Sequence, residues 1–154
     1  MDTRLDYVAL EKRIENLVTA LSQAEDETQG YLVRLGVILT ASLVEVSCQD
    51  ILGNYSAARA HDHVARFADA QLQKFTNINA EKLCTLLGAF HKEHRAALEQ
   101  VIAGQIKDSI DSLVNVRNNL AHGRNVTTSR VALTQYFSDA KKIVRFLETR
   151  FRAD

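Results

Sequence analysis

The segment LVNVRNNLAHGR sets Arg117, Asn118, His122 and Arg124 within eight positions of one another. Arginine supplies a permanent forked cation that matches a phosphate. Histidine is the side chain whose ordinary titration lies near neutral pH, so it can take up and release a proton during a reaction. Asn118 and His122 are four positions apart, so a helix stacks them on one face, with Arg117 beside them rather than opposite. The group is suited to holding an anion and moving a proton. Its rival reading is structural, with His122 capping a helix C-terminus and Arg117 paired inside a bundle.

Arg117 continues a stripe that is otherwise Ile106, Ile110, Leu113 and Leu120, so it faces a core or a partner, where an unpaired charge is costly. A counter-charge is available upstream. Ile38, Ser42, Glu45, Gln49 and Leu52 form a helical row with three polar members in a greasy segment. Glu45, between Val44 and Val46, is the candidate partner of Arg117.

The elements that must position these residues are helical. Tyr7, Leu10, Ile14, Leu17 and Leu21 recur every three or four residues, which predicts an amphipathic helix over 3–27. A more buried helix is expected from Thr28 to Leu52, stopped by Gly53-Asn54, and an alanine-rich one over 56–75. Asn79 reads as the N-cap of a helix starting at Ala80, and another segment runs from Lys92 to Ala103 before Gly104. The motif helix follows, with Gly123 where a left-handed C-terminal residue belongs. Thr128 or Ser129 caps a last helix with Leu133, Tyr136, Ala140, Ile143, Leu147 and Phe151 on one face. No strand-like alternation occurs. The fold expected is one all-α domain over 1–154, an up-and-down bundle of four to six helices.

Several chemistries lack their residues. No histidine has Asp or Glu three positions before it, which removes a carboxylate-bridged di-iron site. His61 and His63 point in different directions on a helix, and His91 with His94 lacks a third ligand, so no metal is expected. Neither a glycine-rich phosphate loop nor a serine-nucleophile elbow is present. Cys48 and Cys84, among apolar neighbours, read as buried reduced thiols.

The 154 residues carry net charge zero, with 46% hydrophobic and 25% charged residues, no proline and six glycines. That balance excludes wholesale disorder, an all-β fold and a uniformly basic surface. The charge is uneven, however: residues 1–27 are net −4 and residues 128–154 net +3. Solvated helix faces explain such patterning; the functional alternative is that Arg130, Lys141, Lys142 and Arg145 border an anionic ligand. The opening MDTRLDYVALEKR has no apolar signal segment, and Arg34, Glu45 and Asp50 interrupt the greasy stretch from Tyr31 to Leu52. No membrane span and a cytoplasmic location are therefore expected.

Arg117-Asn118-x-x-x-His122 resembles the arginine-to-histidine signature of the HEPN superfamily, with the asparagine that its nuclease members carry after the arginine. The similarity extends over KDSIDSLVNVRNNLAHGRNVTTSRVALTQYFSDAKKIVRFL (107–147), NINAEKLCTLLGAF (77–90) and ASLVEVSCQDIL (41–52), and points to the RiboL-PSP type. The resemblance implies a helical bundle that dimerises so that two motifs face one cleft. It further implies a metal-independent endoribonuclease, with no cofactor, in a toxin–antitoxin or phage-defence setting with an antitoxin or other defence protein as possible partner. On that pattern Arg117 and His122 match the catalytic pair, Asn118 the accompanying polar residue, and Glu45 the acidic position of the earlier helix. The alternative is a non-catalytic module of the same fold that binds RNA, a nucleotide or a protein.

Overall fold

The computed structural model describes residues 4–152. Thr3, the expected start of the first helix, and the ends of the domain assigned to 1–154 lie outside them. Seven helices and no strand occur among the described residues: α1 (Asp6–Leu21), α2 (Asp26–Arg59), α3 (Asp62–Leu72), α4 (Ala80–Phe90), α5 (Lys92–Ile102), α6 (Gln105–Ala121) and α7 (Arg130–Arg150). The all-α bundle stands, with more helices than the four to six expected. The excess comes from three pieces of 11 residues, α3 to α5. Extended backbone at His91 (φ −168°) and the left-handed Gly104 (φ +84°) keep α4, α5 and α6 apart.

At 34 residues, α2 is the axis of the fold and packs against α1, α3, α6 and α7. By length and composition it could cross a membrane, but half of its most apolar stretch is buried inside the bundle. Pairings give the directions. Tyr7 meets Asp50, and Leu17 lies beside Gly36, so α1 runs antiparallel to α2. Leu133 also lies beside Gly36 and Phe151 beside Tyr55, so α7 runs parallel to α2; Ser109 near the start of α6 meets Asp139 halfway along α7, and the short loop 122–129 joins the end of α6 to the start of α7, so these two run antiparallel. These four helices make the up-and-down core, and the α4–α5 hairpin leans on α6. One cluster of buried side chains runs through all seven helices, with Ile14, Leu43, Leu83, Leu98, Ile110, Leu133 and Ile143 fully enclosed.

Gly53-Asn54 does not stop α2, which continues to Arg59. Gly53 serves close packing instead, since a Cβ there would stand 3.2 Å from the Asp69 carboxylate of α3. Asn54 clasps the backbone of Arg4 in both directions, donating to its carbonyl at 2.9 Å and accepting from its N–H at 3.3 Å. The third helix is accordingly shorter than 56–75 and starts behind His61, whose ring accepts from the His63 N–H at 3.4 Å.

Two buried carboxylates tie helices together. Asp50 of α2 accepts the Tyr7 N–H at 3.2 Å, supplying the cap that α1 lacks; burial pushes its pKa up. Asp139 of α7 accepts from Ser109 of α6 at 2.5 Å, from Gln135 at 3.0 Å and from Lys142 at 3.3 Å. Burial alone would raise the Asp139 pKa, but these donors outweigh it and hold the carboxyl below its ordinary value. That network fixes α6 on α7. Cys48 and Cys84 are buried free thiols, and burial raises the Cys48 thiol to about 12.

Candidate active site at the end of α6

The last turns of α6 carry Arg117, Asn118 and His122. The helix ends on backbone bonds: the Gly123 N–H reaches the Leu120 carbonyl at 3.1 Å and the Arg124 N–H reaches the Asn119 carbonyl at 3.0 Å. Gly123 takes φ +70°, where a side chain would strain the backbone. This motif satisfies the terminal carbonyls without any side chain, and His122 is left as an exposed residue at the helix end.

Among the described residues, the His122 ring makes no hydrogen bond, ion pair or ring contact; the rings of three other histidines accept hydrogen bonds. His61 and His91 each accept a backbone N–H at a helix start. His94 accepts from Arg150 at 2.9 Å and lies 4.5 Å from the Phe151 ring, and burial foremost, with Arg150 next, lowers its pKa. His63 meets His61 edge to face. No group of three or more His, Cys, Asp or Glu side chains among the described residues could hold a metal ion.

Arg117 is half-buried at the edge of the stripe that buries Ile110 and Leu113. Its guanidinium donates to the neighbouring Asn118 Oδ1 at 3.4 Å and, among the described residues, enters no ion pair. The expected Arg117–Glu45 pair is therefore not formed within the chain. Glu45 instead accepts the Asn77 N–H at 2.6 Å. Asn77 adopts a left-handed conformation (φ 52°), which asparagine tolerates. Gln49 likewise donates to the Phe75 carbonyl at 3.5 Å, so the polar row on α2 holds the loop between α3 and α4. Helical periodicity shows that the row is polar, but it cannot show that a loop takes it up.

The basic face expected on α7 is largely occupied. Lys142 pairs with Asp139, Arg145 with Glu11 and Glu148, and Lys141 lies over the Phe137 ring. Among the described residues, Arg117, Arg124 and Arg130, in the motif and on either side of its loop, enter no ion pair. Arg130, the first residue of α7, thus keeps its positive charge beside the loop that follows the motif.

Asn118 also lines a groove of about 380 Å³ between α6 and the start of α4, with Asn115, Asp111 and Lys107 on one wall and Asn79 on the other. The motif itself does not include this wall. The signal was present in the spacing, since Lys107, Asp111, Asn115, Asn118 and His122 lie four, four, three and four positions apart along one face of α6.

The chain matches a model of the family RiboL-PSP-HEPN over residues 5–153. Neither the curated proteins nor the solved structures contain a match.

Proposed function

The chain belongs to the RiboL-PSP-HEPN family, whose wider HEPN group often comprises ribonucleases, and from this premise we propose that it is a metal-independent endoribonuclease. The observation that carries the reading is the end of α6, where an unpaired guanidinium and a disengaged imidazole share the last turns of one helix. RNA brings its own nucleophile, so the site has only to align it and move protons. His122 takes the proton of the 2′-hydroxyl, whose oxygen attacks the adjacent phosphorus. The bond from phosphorus to the 5′-oxygen breaks, and that oxygen receives a proton from a second acid. Arg117 neutralises the charge that gathers on the phosphoryl oxygens. Asn118, already in contact with Arg117, orients the guanidinium or the phosphate.

One chain offers one imidazole at the motif, whereas the reaction uses a base and an acid. A homodimer with two motifs facing one cleft supplies both. Tyr31, Leu35 and Ile38 lie on the same helical line as Ser42 and Glu45 and are 60%, 46% and 39% exposed, an apolar stripe suited to a second copy. Light scattering at micromolar protein is expected to give the mass of a dimer; a monomer would remove the second histidine from the mechanism. A cytoplasmic setting in a toxin–antitoxin or phage-defence system, with a neutralising protein partner, completes the reading.

The reading is tested by incubating labelled RNA with purified protein in EDTA. Cleavage is expected to persist there and to vanish when the sugar at the cut site is deoxyribose.

A further inference from the structure

We infer that the groove between α4 and α6 is a base-reading subsite that selects adenine or cytosine, the bases with an amino group at C6 or C4 where guanine and uracil carry a carbonyl, next to the scissile phosphate. The inference rests on the ribonuclease reading of the motif and adds the chemistry of substrate choice. Helical geometry connects the two places. At 100° per residue, Lys107, Asp111, Asn115, Asn118 and His122 fall within a quarter-turn of one another. Asn118 and His122 are about 6 Å apart along the axis, a span that one nucleotide bridges. A strand whose phosphate lies at His122 therefore carries its neighbouring base over the groove.

The groups left free in the groove suit a base and not a phosphate. Asn79 Oδ1 is used in capping α4, where it accepts the Lys82 N–H at 2.9 Å, so its Nδ2 remains as a donor. Asn118 Oδ1 faces Arg117, which leaves its Nδ2 in the same condition. Asp111 Oδ1 accepts the Ala80 N–H at 2.9 Å, leaving Oδ2 as an acceptor. Asn115 is exposed, with both ends of its amide unengaged among the described residues. The Asp111 carboxylate enters no ion pair among the described residues and repels an anion, whereas Glu81 is paired with Arg95 at 3.0 Å; Lys107 is the only cation among the lining residues. Amide and carboxylate edges are the partners that hydrogen-bond base edges, with asparagine matching the donor–acceptor edge of adenine and a carboxylate accepting from the amino group of cytosine. In single-stranded RNA such edges are open to reading.

Asp111 gives the sharpest test. In Asp111→Asn the Ala80 N–H still requires an oxygen, so the new NH2 is turned into the groove where an acceptor stood. The base edge favoured should then change from an amino group to the carbonyl of uracil. Binding is measured by fluorescence anisotropy with short 2′-O-methyl oligomers of A, C and U, which cannot be cleaved. The wild type is expected to bind A or C oligomers about 10-fold more tightly than U, and Asp111→Asn to narrow or reverse that ratio. Asn115→Ala, on an exposed position, is expected to narrow it as well should Asp111→Asn fold poorly. Equal binding of all three oligomers by the wild type overturns the inference, as does a ratio unchanged in a folded variant. If the ratio behaves as expected but the matching 2′-hydroxyl RNA is not cut, the subsite stands and the ribonuclease reading falls.

Discussion

His122→Ala is expected to lower the rate of RNA cleavage by about 10²–10⁴-fold, the usual cost of losing one well-placed acid–base group, with thermal stability unchanged. The separation of the two effects follows from how α6 ends. The bonds from Gly123 and Arg124 to the Leu120 and Asn119 carbonyls come from backbone N–H groups, and the His122 backbone N–H bonds to the Asn118 carbonyl at 3.1 Å. An alanine keeps all three. The ring itself is exposed and, among the described residues, has no polar partner that its loss could leave unsatisfied. RNA binding, carried by the cations around the motif, should remain close to that of the wild type. A variant that loses cleavage and melting temperature together would make His122 a structural residue.

Arg117→Ala is expected to cost about 10²–10³-fold in cleavage, comparable to removing one group that stabilises charge in a transition state. A buried Arg117–Glu45 pair would make this variant unstable as well, because it would strand a carboxylate in the core. The structure removes that complication. Glu45 keeps its bond to the Asn77 N–H whether or not Arg117 is present, and Arg117 is only half-buried. The loss in Arg117→Ala should therefore be chemical, with a stability change of about 1 kcal/mol or less from its packed stem. Arg117→Lys should recover little, since an ammonium does not reproduce the fork. Glu45→Ala should behave in the opposite way. It leaves the Asn77 N–H without an acceptor, at a cost of about 1–3 kcal/mol in stability, and spares the guanidinium. Cleavage rates and melting temperatures of the two alanine variants, measured together, check this assignment.

Much of this arrangement was legible in the sequence because it is local. Asn79 capping α4, Ser129 capping α7 through the Ala132 N–H, and Gly123 closing α6 all rest on residues within a few positions. The stripes that bury Ile110, Leu113, Leu133 and Ile143 follow from helical periodicity in the same way. What the sequence could not convey depends on what meets a side chain from elsewhere in the chain. Gly53 looked like a stop because its neighbour α3, whose Asp69 carboxylate comes within 3.2 Å of where a Cβ would stand, is invisible in a local window. Glu45 and Arg117 are 72 positions apart and of opposite charge, and nothing local reveals that the Asn77 N–H reaches the carboxylate first. The basic last helix was legible as composition, but its pairing with Glu11 of α1 was not.

The central claim is that His122 and Arg117 drive attack by the 2′-hydroxyl of RNA. It is tested most directly by the ends of the fragments that the wild-type protein produces from a defined RNA in EDTA. Fragments ending in a 2′,3′-cyclic phosphate and a 5′-hydroxyl, with no cut at a position carrying a single deoxyribose, are the result this account predicts. A requirement for added magnesium, 5′-phosphate ends, or equal cleavage of DNA would contradict it.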